Sequence, residues 1–329
     1  MKSSEVERPP VTLVVPNYNG KNLLAKNLPE VLKAAAHYPG KATIIVVDDG
    51  SSEKGTKELV QNFKSIVYVQ HEHNQGFSCA ILTGVKNSET EFVFLLNSDV
   101  SPSVDFIEPL VDALQDDAVF AASPLIYNED GSVNKYSWNH YSWIGVNLVR
   151  KKWTIEKLQE YQNKRPIRHL FCSGGSVLIR KSRFLLLAGF ADIYKPYYSE
   201  DLDLGVRAWR RGWHSVFEPK SSVIHQQEGS IRTQEKSDFV KTIQRRNTFY
   251  FEWSHLSVYR LLCFRSLFWL RQIIGRALKG DKIYLKGLKL ALMNIRSVRT
   301  RRTAIENNSQ AMTFDELIAQ LNEDRNSQR

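Results

Sequence analysis

Two loops about fifty residues apart constrain this chain more than any other feature. The run Ile44-Ile45-Val46-Val47 ends in Asp48-Asp49-Gly50-Ser51, and Phe92-Val93-Phe94-Leu95-Leu96 ends in Asn97-Ser98-Asp99. Each is an unbroken apolar stretch of strand length that stops at acidic and small polar residues. Unbroken rather than alternating apolarity suits strands buried on both faces of a parallel sheet. In such sheets ligands bind beyond the carboxyl ends of the strands, and here those ends carry aspartates. Two acidic loops on one edge suit a metal cation and the polar part of a nucleotide. The pattern points to an enzyme that handles an activated, phosphate-bearing substrate.

The first 125 residues repeat this unit. Residues 11–15 read as a strand, followed by a helix with Leu23, Leu24, Asn27, Leu28, Val31 and Leu32 on one face. Strands over 43–47, 66–70 and 92–96 alternate with helices near 54–63, 75–87 and 104–115, as in βαβ units, and a further strand covers 118–123. Residues 127–170 mix aromatics, Asn and charge without a period, as in a long loop or a substrate-covering insertion. Order returns at 174–179, with a helix expected over 201–211 and a strand near 214–217. A length of 329 residues suits one large domain with an appendage. The boundaries read as a polar lead over 1–9, a main domain over 10–238, a helical extension over 239–302 and a polar tail over 303–329.

The net charge of +10 is concentrated. Residues 1–240 hold 28 Lys+Arg and 28 Asp+Glu, 241–302 hold 15 and 2, and 303–329 hold 2 and 5. The basic stretch is helical and aromatic to about residue 295. On a helical wheel, Arg265, Arg271, Gln272, Arg276 and Lys279 gather opposite Leu262, Cys263, Leu267, Trp269, Leu270, Ile273, Ile274 and Ala277. Such a helix suits peripheral contact with an anionic membrane. The alternative is that its apolar face packs on the main domain or a second subunit, and a homo-oligomer stays open. No nucleic-acid-binding module accompanies the charge, so nucleic acid is not an expected partner. A last helix starts near Thr313, where Thr313 and Glu316 fit a capping box.

Cys79, Cys172 and Cys263 are few, scattered and odd in number, so neither a disulfide framework nor a zinc spacing can be drawn, and a reducing compartment is expected. No apolar leader opens the chain and no run of eighteen apolar residues occurs. The expected location is therefore cytoplasmic, at the inner face of the cell membrane.

Several residues are suited to chemistry. No Gly-x-Gly-x-x-Gly follows a strand, and Gly50 and Gly55 have the outer spacing of a phosphate-binding loop without its Lys-Ser/Thr. Asp48 and Asp49 suit hydrogen bonds to a base or ribose, although Asp-Gly-Ser is equally good turn chemistry. Asp99 is a hard oxygen ligand for Mg²⁺ or Mn²⁺, or else part of a polar loop. In Ser199-Glu200-Asp201-Leu202-Asp203, followed by Arg207, Arg210 and Arg211, the carboxylates either cap a helix or supply a base for an attacking hydroxyl. His225 leaves a short apolar stretch for a polar loop, and its imidazole can complete a Mn²⁺ site.

In order along the chain stand Pro16-Asn17-Tyr18-Asn19-Gly20, Val47-Asp48-Asp49-Gly50-Ser51, His73-Asn74-Gln75-Gly76-Phe77, Leu96-Asn97-Ser98-Asp99, Gly189-Phe190, Glu200-Asp201-Leu202-Asp203-Leu204, Arg211-Gly212-Trp213 and His225. Over about residues 10–230 this series resembles the inverting family 2 glycosyltransferases of GT-A fold, among them rhamnosyl-type transferases of bacterial cell-surface polysaccharides. The resemblance implies an α/β, Rossmann-like, mostly parallel sheet flanked by helices, with the basic amphipathic helices as a C-terminal extension. It implies Pro16, Tyr18, Asp48, Asp49, Asn74, Gly76 and Asn97 at the nucleotide, Asp99 and His225 at a divalent metal (Mn²⁺ or Mg²⁺), and Asp201 as general base. Glu200, Trp138 and Arg211 fall on the acceptor or diphosphate side. The implied partners are a nucleotide-diphospho-sugar donor and a saccharide or lipid-linked acceptor. Asn97 stands where the family's Asp-x-Asp motif has its first Asp, a departure that bears on metal affinity. Two rival readings are a nucleotidyltransferase, whose basic Gly-rich loop is missing after the first strand, and a non-catalytic scaffold of the same fold, which the Asn97 departure would suit.

Overall fold

The apolar runs lie inside a nine-stranded sheet with core on both sides. The computed structural model describes residues 8–159, 166–226, 237–307 and 312–327. Residues 1–7 of the expected lead and most of the polar loop after His225 (227–236) lie outside these.

The first half is wholly parallel. β1 (Val11–Asn17), α1 (Lys21–His37), β2 (Ala42–Asp48), α2 (Thr56–Gln61), β3 (Ile66–Gln70), α3 (Phe77–Asn87) and β4 (Phe92–Leu96) give the strand order β3-β2-β1-β4. Val14 lies in register with Ile45 on one side and Leu95 on the other. Because side chains alternate between faces, Leu13, Ile44, Val46 and Phe94 enter a core with Leu24 and Leu28 of α1. Val14, Ile45, Val93 and Leu95 enter a second core with Ile81 and Val85 of α3. Burial on both faces is why the runs carry no alternation.

Beyond β4 the sheet is mixed. β5 (Val100–Pro102), α4 (Ile107–Ala113), β6 (Val119–Asn128), β7 (Tyr141–Ile144), β8 (Asn147–Arg150), α5 (Ile155–Gln159), β9 (Ile167–His169), β10 (Ser176–Arg180), α6 (Lys181–Leu186), α7 (Glu200–Trp209) and β11 (His214–His225) follow. The order continues β4-β10-β6-β11-β5, with β10 antiparallel to both neighbours and β11 parallel to β6. The 127–170 segment is not bare loop: it holds the β7–β8 hairpin, α5 and β9. Neither hairpin strand buries one face, so no period of two is written into it.

The basic C-terminal region is helical throughout its described part. It runs through α8 (Ser237–His255), a helical turn at Val258–Arg260, a π turn at Leu261–Arg265, α9 (Ser266–Leu278), α10 (Lys282–Met293), α11 (Ile295–Asn307) and α12 (Phe314–Ser327), past the expected end near 295. Phe249, Tyr250 and Phe251 of α8, Tyr284 of α10 and Phe314, Leu317 and Ile318 of α12 share one core with Phe171, Tyr194, Val206 and Trp209. The π turn inserts an extra residue per turn and rotates the helical wheel. Arg265, expected on the polar arc, is consequently buried and ion-paired to Glu252. The capping box at α12 forms as expected: Thr313 N–H donates to Glu316 Oε2 at 2.7 Å and Glu316 N–H donates to Thr313 Oγ1 at 3.2 Å.

Candidate active site

The parallel strands bring their carboxyl ends to one edge, where the loops are stitched together by side chains. After β1, the Asn19 side-chain Oδ1 accepts from the backbone N–H groups of Ser52 (2.9 Å) and Glu53 (3.2 Å), joining the first loop to the second. Asp48 accepts from the Ser51 hydroxyl and, at 2.7 Å, from Tyr68. Asp49 accepts from the backbone N–H groups of Gln75 (2.9 Å) and Gly76 (2.8 Å) and pairs with His71 Nδ1 at 2.7 Å. A Cβ on Gly50 would come 2.4 Å from the His73 carbonyl carbon, so the loop carrying Asn74 and Gly76 rests directly on Gly50. The two carboxylates expected at the nucleotide tie this edge together. Both carboxylates are buried and engaged by the protein, and they shape the loops around the pocket. Pro16 is buried within β1, Tyr18 is half-buried and Asn74 is exposed, all at this edge.

At the end of β4, Asp99 is buried with its Oδ1 lacking a hydrogen-bond partner among the described residues. His225 Nε2, at the end of β11, stands 3.8 Å from Asp99 Oδ2. Burial raises the Asp99 pKa and the His225 charge opposes it. A buried pair on α1 and beyond β11 fixes this loop. Asn27 Nδ2 donates to Ser98 O at 2.8 Å, Gln226 Nε2 donates to Asn27 Oδ1 at 2.9 Å, and Gln226 N–H donates to Asp99 O at 2.9 Å. Sequence reasoning missed this role. Its one signal was a polar Asn27 in an otherwise apolar helical face.

The Asp99 loop leads directly to the acidic helix. Asn97 N–H donates to Gly175 O at 2.9 Å, and a Cβ on Gly175 would strike Asn97 Nδ2 at 2.7 Å. A Cβ on the adjacent Gly174 would sit 3.7 Å from Asp201 Cβ. Gly175 therefore lets the end of β4 close on this segment, whose next residue back, Gly174, touches the start of α7. Asp201 Oδ1 accepts from Leu202 N–H at 2.7 Å. Burial pushes its carboxyl up to about 6 against the pull of the Leu202 and Gly174 amides, inside the range of a working general base. Glu200 is raised too, by burial and then by the Asp201 charge, and its Oε2 has no partner among the described residues.

The helix bearing these carboxylates is held from far along the chain. Tyr198 and Ser199 precede it with φ of 74° and 75°, a left-handed region that costs about 1–3 kcal/mol per residue. Asn247 of α8, fully buried, donates through Nδ2 to the carbonyls of Tyr194 (2.8 Å), Tyr197 (2.9 Å) and Tyr198 (2.8 Å) and fixes that entry. Within α7, buried Asp203 pairs with Arg207 (2.7 Å), His255 of α8 (2.8 Å) and Arg301 of α11. Burial opposes its ionisation, but Arg207 and Arg301, then His255, hold its pKa well below the usual range. Neither Asn247 nor His255 carries a local sequence signal, because each acts about fifty residues from its partner.

Two expected acceptor-side residues lie elsewhere. Trp138 is buried at 4% exposure with Leu125, Leu158, Ile167 and Phe217, its ring stacked on Phe217, so it packs a core. Arg211 follows the far end of α7, about 15 Å along the axis from Glu200, with its guanidinium over the Trp213 ring.

The residues fit a divalent cation completed by substrate. Asp99 offers a buried oxygen without a partner and His225 an imidazole beside it, while no group of three or more His, Cys, Asp or Glu is gathered among the described residues. Mg²⁺-type sites commonly take one or two protein ligands and substrate phosphates.

Comparison with known proteins agrees with this geometry. The family described as Glycosyl transferase family 2 matches residues 12–185. The N-acetylglucosaminyl-diphospho-decaprenol L-rhamnosyltransferase of Mycobacterium tuberculosis is 26% identical over 79% of this chain and 87% of its own length. Chondroitin synthase of Escherichia coli is 24% identical over 66% of this chain, which spans 34% of that protein. Among solved structures, the chain shares its fold with GalNAc-T7 bound to UDP, GalNAc and Mn²⁺ (TM-score 0.60, 19% identity, 78% of this chain and 50% of that one). It also shares it with a mannosyltransferase of Pyrobaculum calidifontis bound to GDP-Man and Mn²⁺ (TM-score 0.53, 15% identity, 92% and 86%).

Proposed function

The chain belongs to glycosyl transferase family 2, the nucleotide-sugar-dependent glycosyltransferases, and from that premise we propose an inverting transfer to the hydroxyl of a lipid-linked saccharide. The observation that carries the reading is the run of contacts that joins the Asp99–His225 loop to the Asp201 helix through Asn97, Gly175 and Gly174. One side suits a diphosphate and the other an acceptor hydroxyl.

Asp99 and His225 would hold a divalent cation, which when bound neutralises charge on the departing diphosphate. The loops after β1, β2 and β3, with Pro16, Tyr18, Asp48, Asp49, Asn74, Gly76 and Asn97, would enclose the nucleotide. Asp201 takes the proton from the acceptor hydroxyl as its oxygen bonds to the anomeric carbon. The bond from that carbon to the phosphate oxygen breaks, its electron pair leaves with the nucleoside diphosphate, and attack from the opposite face inverts the anomeric centre. Glu200, with a raised pKa, is suited to donate a hydrogen bond to the acceptor. The mycobacterial relative's name, a rhamnosyl transfer to a diphospho-decaprenol, supports a deoxyhexose or hexose donor and a polyprenyl-diphosphate acceptor in polysaccharide or glycolipid synthesis. Such an acceptor sets the place of work at the inner face of a membrane.

The test is a thermal-shift and product-release screen of UDP-, GDP- and dTDP-sugars with Mn²⁺, Mg²⁺ or EDTA. Metal-dependent stabilisation by one nucleotide family, with release of its diphosphate, is expected. No shift with any nucleotide under any condition would overturn the catalytic reading in favour of a scaffold.

A further inference from the structure

Helix α9 turns leucines outward. Leu267, Leu270, Ile274 and Leu278 recur at spacings of three and four and are 67%, 55%, 50% and 83% exposed. Upstream in the same helical run, Val258, Tyr259 and Leu262 are also exposed. A surface helix ordinarily buries its apolar stripe and shows water its polar one. Here a second apolar set, Trp269 and Ile273, already faces the core shared with α8 and α10, so the outer stripe is surplus to packing.

The charge around this stripe is of one sign. From residue 253 to 280 the sequence holds no Asp or Glu. Arg260, Arg265 and Arg276 are engaged by Asp315, Glu252 and Asp281. Arg271 and Lys279 of this run, and Lys282, Lys286 and Lys289 of α10, are exposed. An apolar stripe within a cationic surround matches an anionic bilayer, whose acyl boundary takes the leucines and whose headgroups take the charges. A second copy of the chain is the poorer occupant, because residues 241–302 carry a net charge of +13 and would meet their own sign. No helix among the described residues is long and apolar enough to cross a membrane, so the contact is one of lying on the surface.

We propose that the helical run 258–278 is an interfacial docking element for an anionic lipid bilayer, with Leu267, Leu270, Ile274 and Leu278 inserted and Arg271 and Lys279 at the headgroups. The inner face of α9 packs on α8, which carries Asn247 and His255. The docked helix is thus one helix layer from the braces of the Asp201 helix. The proposal stands on the surface alone and needs no donor or acceptor.

The full chain is co-sedimented with vesicles of phosphatidylcholine alone and of phosphatidylcholine with 30% phosphatidylglycerol (a roughly physiological anionic fraction). Binding to the anionic vesicles is expected, weakened by salt, and at least about tenfold weaker in each of Leu270→Ser and Ile274→Ser. Arg271→Gln with Lys279→Gln should weaken the preference for anionic vesicles by about tenfold or more, with Lys282, Lys286 and Lys289 supplying the remainder. These side chains are exposed, so melting temperature and nucleotide binding should hold, which separates this failure from a failure of the transferase reading. Absence of vesicle binding would overturn the proposal, as would dimerisation in light scattering that the leucine variants abolish.

Discussion

The two halves of the candidate site are built by different means. The proposed donor side is made of loops that leave parallel strands and hold one another through nearby contacts: Asn19 to Ser52 and Glu53, Asp49 to Gln75 and Gly76. The proposed acceptor side is one helix, α7, whose entry and charge are fixed by Asn247, His255 and Arg301. Strand ends position chemistry by topology, whereas the helix carrying Glu200 and Asp201 is braced from a region that looks like an appendage. The C-terminal helices are therefore part of what holds α7 in place.

That contrast predicts different failures. The largest effect falls on Asp203→Ala, which leaves the buried Arg207 uncompensated beside Arg301. A loss of about 3–5 kcal/mol is expected in denaturant unfolding. A near-neutral result would separate the C-terminal helices from α7. Next, Asn247→Ala strips three carbonyls of their donor at the strained entry, for about 1–3 kcal/mol of stability. Turnover should fall while donor affinity holds, and equal loss of both would dissolve the division. A smaller effect is the pH profile. Asp201 must be deprotonated to act and its pKa is raised to about 6, so kcat/KM should fall as pH drops below about 6 and level off above. A profile flat down to pH 4 would remove Asp201 as the base.

The sequence was most legible where structure is local. Continuous apolar runs at 44–47 and 92–96 required burial on both sheet faces, and the two cores provide it. The Thr313–Glu316 capping box needs only a spacing of three and formed as read. Legibility ended where partners are distant or period is lost. The β7–β8 hairpin buries neither face and so wrote no alternation, and the π turn shifted the wheel under Arg265. Trp138, expected on the acceptor or diphosphate side, packs on Phe217 in a core, and nothing in the unperiodic 127–170 sequence marks it as a core ring.

The central claim is that donor holding and proton removal sit on opposite sides of the Gly174–Gly175 contact. Calorimetric titration of the nucleotide-sugar into Asp99→Asn and Asp201→Asn proteins, with and without Mn²⁺, tests it most directly, paired with transfer assays on the same samples. Asp99→Asn should lose the metal-dependent part of donor affinity, roughly tenfold or more. Asp201→Asn should bind donor as the parent does while transfer falls by about 10²–10⁴. Full donor affinity in Asp99→Asn together with unchanged transfer in Asp201→Asn would contradict the account.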